Sequence, residues 1–286
     1  MPTFGQAAKT GDNLLKIGKA THPRSAICTA NEHHIVVRGA DLCEDLIGRI
    51  GFSDYFYFLL TGRRPDAAGS RVLEATLVAI AEHGMVPSVQ AARMTLAAAP
   101  DAMQGAVAAG ILGSGSVILG ASEAAGHLFV RIDEEARERG GDLSAAAHAV
   151  VADLRARRQQ IPGYGHPQHK SRDPRVGALF KVSRECGADQ RFVEIAEAVE
   201  AVIPGIMNRE LKLNVSAAIP AVLLGVGFPV AALKGVPMLA RTAGLIAHLN
   251  EELEQPAGFA LSYQATSAYE YTGQVPDGFD RAPDGS

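Results

Sequence analysis

Residues 161–175 read Ile161-Pro-Gly-Tyr-Gly-His-Pro-Gln-His-Lys-Ser-Arg-Asp-Pro-Arg175, and this is the most informative stretch of the chain. Two glycines flank a tyrosine, and glycine lets a backbone adopt positive φ and approach a ligand closely. A histidine follows, which can carry protons near neutral pH, and then basic side chains that can hold phosphate or carboxylate oxygens. Asp173 and Pro174 are typical of a helix N-cap and a first helical residue. The stretch therefore predicts an anion-binding loop with acid/base chemistry beside it, followed by a helix.

The composition is that of an ordinary soluble enzyme, with 286 residues, 47% hydrophobic residues, 20% charged residues and a formal net charge of -4. That charge gives no reason to expect nucleic acid or an acidic membrane surface as a partner. The three cysteines, Cys28, Cys43 and Cys186, are widely spaced and form no CxxC motif, which favours a reducing compartment. The amino terminus has no signal-peptide pattern, and the apolar stretch at 217–226 is shorter than the roughly 20 residues of a membrane span. We expect a soluble, cytoplasmic protein.

Apolar residues recur mainly at three- and four-residue spacing, which predicts a mostly α protein of about a dozen helices. The spacing of Leu42, Leu46, Ile47 and Ile50 predicts a first helix soon after Gly39. Further helices are predicted at 54–60, 70–83, 88–98, 102–112, 123–139, 143–159, 176–186, 190–202, 215–224 and 237–253. The run 35–37 is a weak strand signal, and 140–142, Gly-Gly-Asp, predicts a helix stop followed by an N-cap.

The segment Pro162-Gly-Tyr-Gly-His166, followed by Asp173-Pro-Arg175, resembles the signature loop of the citrate synthase family, which includes the short citryl-CoA lyases. Other segments agree with that family in order and spacing. They are Ile35-Val-Val-Arg-Gly39, Leu59-Leu-Thr-Gly62, His83 with Ser88 and Ala91-Ala-Arg93, Asn214-Val215, and Ala240-Arg-Thr-Ala-Gly244 with Ala247-His248. The resemblance extends over roughly residues 20–275.

The resemblance implies a citrate synthase-like all-α fold, in which a smaller mobile helical domain closes over the substrates. The large domain would comprise residues 1–121 and 233–286, and the small domain, with the His166 loop, residues 122–232. It also implies a homodimer or a higher oligomer, and an acyl-CoA thioester and a carboxylate as small-molecule substrates, with no bound cofactor. A metal is not expected, because the histidine pairs at 33–34 and at 166 and 169 lack a Cys or carboxylate to complete a ligand set.

The resemblance also implies a role for individual residues. His166 would be catalytic and would hydrogen-bond the carbonyl oxygen of the oxo-acid substrate. The carboxylates and hydroxyl of that substrate would be bound by three side chains, His83, Arg175 and Arg241. The CoA thioester would be bound by the loop residues Gly163, Tyr164, Gly165 and Lys170.

Two positions depart from the family pattern. The family's second catalytic histidine aligns with Ile118, and its catalytic aspartate, the third residue of Asn-Val-Asp, aligns with Ser216. Isoleucine has no hydrogen-bond donor, and a serine hydroxyl is no base unless it is activated. General-base and oxyanion contributions are each worth about 10²–10⁴-fold in rate. Other polar groups that can substitute, although each is more typical of a structural role, are Ser114, Ser116, Ser122, Glu123, His127 and His169.

Three hypotheses follow. The first is an enzyme that makes or breaks a C–C bond beside a CoA thioester, acting on a substrate other than citrate by retro-aldol, retro-Claisen or hydrolytic cleavage. The absence of arginine in residues 254–263, where many citrate synthases bind citrate from the partner subunit, argues against a fully charged tricarboxylate. The second is a non-catalytic relative that binds a CoA ester or a carboxylate. The third is a genuine citryl-CoA lyase or citrate synthase.

Overall fold

The computed structural model describes residues 24–115, 119–165 and 172–279. The chain divides into two units between Arg64 and Pro65. Helices dominate the described ranges, and the named strands there lie in the first unit. The predicted all-α fold class is confirmed.

The first unit carries a small antiparallel sheet of β1 (Cys28–Ala30), β2 (Ile35–Val37) and β3 (Ala40–Asp41), in that order. The central strand pairs on both sides, with Val36 opposite Thr29 in β1 and Asp41 in β3. The strand predicted at 35–37 is therefore confirmed, although the sequence analysis did not predict its two partners. Helix α1 (Phe52–Thr61) follows and covers the helix predicted at 54–60.

The prediction of a continuous helix from Leu42 to Ile50 is wrong, because only about one helical turn forms there. The structure has a five-residue π-helix there, Leu42–Leu46, and the backbone is extended again at Ile47. Three of the apolar residues that suggested a longer helix instead pack with Val37 and Phe58 in the core of this unit. Their spacing therefore reflects a shared core, and it does not require a continuous helix.

The second unit is built from helices. They are α2 (Ala67–Ala81), α3 (Pro87–Ala98), α4 (Met103–Leu112), α5 (Ala121–Glu138), α6 (Leu143–Ala156), α7 (Pro174–Glu185), α8 (Arg191–Met207), α9 (Val215–Leu224), α10 (Gly235–Glu254) and α11 (Gly258–Ala268). The predicted N-caps are confirmed, because Asp142 and Asp173 accept backbone N–H groups at the start of α6 and α7. Each carboxylate satisfies one of the donors that a helix start leaves unbonded.

Two helices differ from the prediction. Helix α8 continues beyond residue 202 through Pro204 and ends at Asn208, which has left-handed backbone angles. Helix α11 was not predicted at all. Its start has no local capping side chain, and the Glu252 carboxylate of α10 accepts the N–H groups of Ala257 and Gly258 instead. A cap supplied from the preceding helix leaves no signal in the local sequence.

The helices of the second unit pack in two groups. Helices α5, α6, α8 and α9 contact one another, as do α2, α3, α4, α10 and α11, while α7 contacts α2 and α9. The buried core includes Phe129, Phe180, Leu73, Leu96, Ile195, Ile219, Leu223 and Leu245, and burying such a side chain contributes about 1.5–3 kcal/mol. The domain boundaries expected near residues 121 and 232 stay a prediction.

One helical stretch in the described ranges, Val230–Glu254, is long and apolar enough to cross a membrane by length and composition alone. The sequence analysis missed it. It includes α10, whose side chains Arg241 and Glu252 are charged and buried in the protein. Charged side chains are costly inside a bilayer, whereas α10 packs here against α2, α3 and α4. These contacts are those of a core helix.

Candidate active site

The loop at residues 163–165 is hydrogen-bonded to the segment that leads into α9. The Gly165 N–H donates to the Lys212 carbonyl at 2.8 Å, and the Asn214 N–H donates to the Gly163 carbonyl at 3.0 Å. The Asn214 side-chain amide also donates to the Gly165 carbonyl at 2.7 Å. The structure thus brings together two segments that the sequence analysis singled out separately, the glycine loop and the start of α9.

Gly163 and Tyr164 fix the position of this loop. Gly163 has φ +86°, and a Cβ there would lie 2.5 Å from the Ala217 Cβ and 2.9 Å from the Ala217 nitrogen, so only glycine fits without strain. Tyr164 is buried, and its hydroxyl donates to the Ala196 carbonyl at 2.8 Å. Burial raises the pKa of Tyr164 well above its ordinary value, and the charge of Glu200 adds to the effect. The phenol is therefore a neutral anchor.

Asp173 holds Arg175 in place. Its carboxylate is buried and accepts both the Nε of Arg175, at 3.0 Å, and the Nη2, at 2.8 Å. The same carboxylate accepts the Arg175 N–H at 3.0 Å and the Val215 N–H of α9 at 3.3 Å. Burial alone would raise the pKa of Asp173, but the hydrogen bonds and charge of Arg175 and the Val215 N–H hold it below its usual value. One carboxylate thus joins α7 to α9 and orients the guanidinium.

Arg241 in α10 is a buried charge, with only 4% of the residue exposed. Among the described residues, its Nε and Nη1 have no hydrogen-bond partner. Burial lowers the pKa of Arg241; the charge of Glu82 opposes that shift, and the charge of Arg175 adds to it. Arg241 and Arg175 are therefore close enough to repel each other. A buried charge is stable only when it is paired, so the two unbonded nitrogens indicate a site for an anion.

His83 lies just after α2 and is half-buried. Its N–H donates at 2.8 Å to Glu82 Oε1, which also accepts the Gly84 N–H. The other oxygen of the Glu82 carboxylate lies 3.0 Å from Nε2 of His248 in α10. Arg175 reaches the same end of α2, where its Nη1 lies 3.5 Å from the Ala79 carbonyl. The end of α2 thus carries His83 and lies against Arg175, and the charge of Glu82 there acts on the third predicted substrate-binding side chain, Arg241.

The altered position Ser216 is half-buried in the first turn of α9. It lies beside Val215, whose N–H is bonded to the Asp173 that orients Arg175. The other altered position, Ile118, lies outside the described residues, as do the predicted catalytic His166 and the predicted CoA contact Lys170. In the part of the chain that the structure describes, no group of three or more His, Cys, Asp or Glu side chains is placed to hold a metal ion.

A cavity of about 660 Å³ lies against the loop at Ile161 and Tyr164. It is also lined by three arginines, Arg155, Arg158 and Arg209, and by no acidic side chain from the part of the chain that the structure describes. The apolar part of the lining includes Met207 and Leu211. Three guanidinium groups around an apolar surface match a ligand that carries phosphates and a ring, because Arg binds phosphate in bidentate fashion and stacks on aromatic faces.

The sequence analysis missed two groups of this site, the Glu82 carboxylate and the bridge from Asp173 to α9. A signal for the first was present, since Glu82 directly precedes His83 and the motif that contains Arg241 ends at His248. No local pattern reports the second, because the partners Asp173 and Val215 are 42 residues apart.

Comparisons with known proteins agree with these features. The family model described as "Citrate synthase, C-terminal domain" matches residues 49–258. The 2-methylcitrate synthase of Mycobacterium tuberculosis is 28% identical over 209 residues, which cover 71% of this chain and 50% of that protein. The 2-methylcitrate synthase of Shewanella oneidensis is 27% identical over 257 residues, which cover 87% of this chain and 62% of that protein. The chain thus spans about half the length of several curated relatives that it matches.

Solved structures resemble the chain as well. Citryl-CoA lyase from Hydrogenobacter thermophilus is 31% identical, with a TM-score of 0.78, and the match covers 90% of this chain and 97% of the lyase. Citrate synthase from Thermotoga maritima is 22% identical, with a TM-score of 0.61 and 82% of this chain covered, and supports the fold alone. Because the family model covers most of the chain and the lyase matches almost end to end, the chain belongs to the citrate synthase family.

Proposed function

We propose that the protein is an enzyme that makes or breaks a C–C bond beside the thioester of an acyl-CoA, with a carboxylate-bearing substrate other than citrate. The observation that carries the proposal is Arg241, a buried guanidinium with two nitrogens that lack a hydrogen bond among the described residues, on which the positive charge of Arg175 also acts. A carboxylate at that position would satisfy the free donors and offset the repulsion between the two arginines. His83, at the end of α2, would supply a further contact to the same substrate.

The arginine-lined cavity supports the CoA part of the proposal. It adjoins Tyr164, one of the loop residues predicted to bind CoA, and its lining carries three positive charges. The arginines Arg155, Arg158 and Arg209 have no ion-pair partner among the described residues, in contrast to Arg131, Arg157 and Arg172. A phosphate-bearing ligand would supply the missing counter-charge.

Ser216 aligns with the family's catalytic aspartate, and this replacement supports a chemistry that differs from that of the family. Its hydroxyl stands in the first turn of α9, where a helix favours negative charge, and Asn214 already caps the turn. A serine there is a poor base for removing a proton from the thioester side of the substrate. In retro-aldol cleavage, His166 would take the proton of the substrate hydroxyl, the C–C bond would break, and the released thioester enolate would take a proton from water in place of the missing aspartate. In retro-Claisen cleavage or hydrolysis, water would be the nucleophile, His166 would take its proton, and the leaving group would be protonated by the same imidazole.

A second candidate is genuine citryl-CoA lyase activity. The match to the Hydrogenobacter thermophilus lyase favours it, because 97% of that enzyme's length is covered at 31% identity. This candidate requires another group to replace the carboxylate that is missing at Ser216.

The test is a product analysis of the purified protein by mass spectrometry. It is incubated in separate reactions with citryl-CoA, with acetyl-CoA plus oxaloacetate, and with a panel of larger acyl-CoA esters. Multiple turnovers of another ester, with citryl-CoA untouched, support the proposal, and turnover of citryl-CoA establishes the second candidate. Calorimetric binding of a CoA ester without any product would refute both and establish a non-catalytic relative.

The role of Arg241 is tested by Arg241→Gln, with Arg184→Gln as a matched control, because Arg184 is exposed on α7. A hydrogen bond to a charged group is worth about 1.5–3 kcal/mol, which corresponds to about 10- to 150-fold. We expect KM for the carboxylate substrate to rise by that factor in the Arg241 variant alone. An unchanged KM would show that Arg241 does not bind the substrate.

We also propose that the protein is a cytoplasmic homodimer. The described surface exposes several large apolar side chains on α4, α10 and α11, including Leu112, Ile246, Leu253, Phe259 and Tyr263. If these side chains form one patch in the folded protein, that patch is typical in kind of a subunit interface. The three free cysteines fit a reducing compartment. Light scattering during size-exclusion chromatography tests the dimer, and a monomeric mass at micromolar concentration would contradict it.

A further inference from the structure

Glu82 is placed to act on two of the proposed substrate-binding residues at once. One carboxylate oxygen accepts the N–H of His83 at 2.8 Å and the N–H of Gly84, and so shapes the turn that carries His83. The carboxylate charge also acts on Arg241 and opposes the effect of burial on that guanidinium. Glu82 nevertheless lies outside every motif that the family resemblance rests on.

His248 lies against the other side of this carboxylate at ion-pair distance, although neither of its ring nitrogens makes a well-formed hydrogen bond among the described residues. Its Nε2 lies 3.0 Å from Glu82 Oε2, and only 15% of its side chain is exposed. Its Nδ1 lies 3.9 Å from Glu251 Oε2, and Glu251 is fixed by Arg93 Nη1 at 2.6 Å. The imidazole therefore stands between two carboxylates, and the buried Arg93 of α3 anchors the far one.

The helix register explains why these groups meet. Arg241, Gly244 and His248 recur at three- and four-residue spacing and so share one face of α10. Gly244 packs directly on the carbonyl of Ala81, the last residue of α2, and has no room for a Cβ. This close approach brings the end of α2 onto the face of α10 that carries both Arg241 and His248. The distance between the two helices is thus set by one glycine, and the Glu82–His248 contact lies beside it.

We infer that Glu82 and His248 form a positioning pair that fixes the turn carrying His83 in the arrangement that binds the carboxylate substrate. The inference rests on the proposed function, because it takes His83 as a substrate contact. It assigns no bond-making step to the pair. Burial alone would raise the pKa of Glu82, but His248 and the backbone N–H groups lower it below its usual value, which keeps the carboxylate charged as the inference requires.

The test compares Glu82→Gln, His248→Gln and the double variant in the full-length protein. Two controls match the changes, Asp153→Asn in a surface ion pair with Arg131 and His148→Gln on the exposed face of α6. Residues in direct contact show coupling energies of about 0.5–3 kcal/mol, which corresponds to about 2- to 150-fold. We expect each single variant to raise KM for the carboxylate-bearing substrate on the order of 10-fold, the double variant to add little, and the calorimetric Kd for free CoA to stay constant.

A second readout does not depend on turnover. In protein labelled with ¹³C-histidine, we expect the ring signals of His83 to shift in both Glu82→Gln and His248→Gln, and to stay unchanged in the two controls. If the wild-type protein turns over no CoA ester, the proposed function fails, whereas the His83 signals still report on the pair. Independent KM effects in the double variant, or His83 signals that match those of the controls, would overturn the inference. Glu82 is about half exposed, so Glu82→Gln remains informative if His248→Gln does not fold.

Discussion

Replacing Asp173 with Asn should separate the charge of this residue from its capping role. Asn caps a helix about as well as Asp, so the bond to the Arg175 N–H survives. The variant loses the negative charge that pairs with Arg175, whose side chain is 20% exposed. It also loses the strong acceptor for the Val215 N–H. Removing one partner of a buried ion pair costs about 3–5 kcal/mol. We expect the lower part of that range, about 3 kcal/mol, because Arg175 retains some access to water.

The matched control is Asp142→Asn, since Asp142 caps α6 through the Ala145 N–H and makes no ion pair among the described residues. Urea denaturation followed by circular dichroism gives the free energy of unfolding of both variants. Thermal melts should show a decrease in Tm of about 2–4 °C per kcal/mol for a chain of this size. The control should change little. Equal losses in the two variants would refute the claim that the Arg175 pair is the source of the effect.

The dependence on pH gives a sharper test of the same reasoning. The pKa of Asp173 is lowered in the folded protein. Its contribution is therefore complete above the unfolded-state value of about 3.9 and is lost as the pH falls through the lower folded-state pKa. The difference between wild type and Asp173→Asn should be constant from neutral pH down to about pH 5 and should shrink below pH 4. A difference that grows on acidification would contradict the sign of the shift.

Three further predictions concern other parts of the site. Gly163→Ala should destabilise the protein by more than about 2 kcal/mol, because φ is positive there and the new Cβ meets Ala217; Gly177→Ala, in open space on α7, is the control in the same denaturation assay. Arg209→Ala in the arginine-lined cavity should weaken CoA binding on the order of 10-fold and reduce its salt dependence in calorimetry, and an unchanged Kd would place CoA elsewhere. Glu252→Gln should expose the amides of α11 to faster hydrogen exchange, because its carboxylate caps that helix; protection equal to that of wild type would show that the cap is dispensable.

Much of the helical layout could be predicted because each helix carries its own periodic apolar face and, in α6 and α7, its own capping aspartate. The loop at 163–165 could be recognised because its glycines and tyrosine are contiguous in sequence. The failures share a physical origin. Helix α11 is capped by a side chain from another helix, and the apolar spacing after Gly39 belongs to a core that also includes β2 and α1. Both features depend on contacts with other secondary-structure elements, which the pattern within a single element does not reveal.

The candidate site shows the same limit. The substrate contacts were predicted from separate motifs, and nothing in their spacing indicates that α2 packs against α10 and also against α7 and α9. The Glu82–His248 contact depends on the distance between two helices, which the fit of Gly244 against Ala81 determines. The bridge from Asp173 to Val215 depends in the same way on the docking of α7 against α9. Tertiary packing decides which polar groups become neighbours, and periodicity does not report it.

The hydrogen bonds between the glycine loop and the start of α9 have a consequence for motion. Gly163, Gly165, Lys212 and Asn214 exchange three bonds through backbone and side-chain groups, so the two segments cannot separate without losing all of them. They should open to solvent as a single cooperative unit, with matching exchange rates for the Gly165 and Asn214 amides. Any hinge must then lie outside this pair of segments. Gly165, the last described residue of the loop, would then move in step with Ser216, and the spacing between them would be preserved while the rest of the protein rearranges.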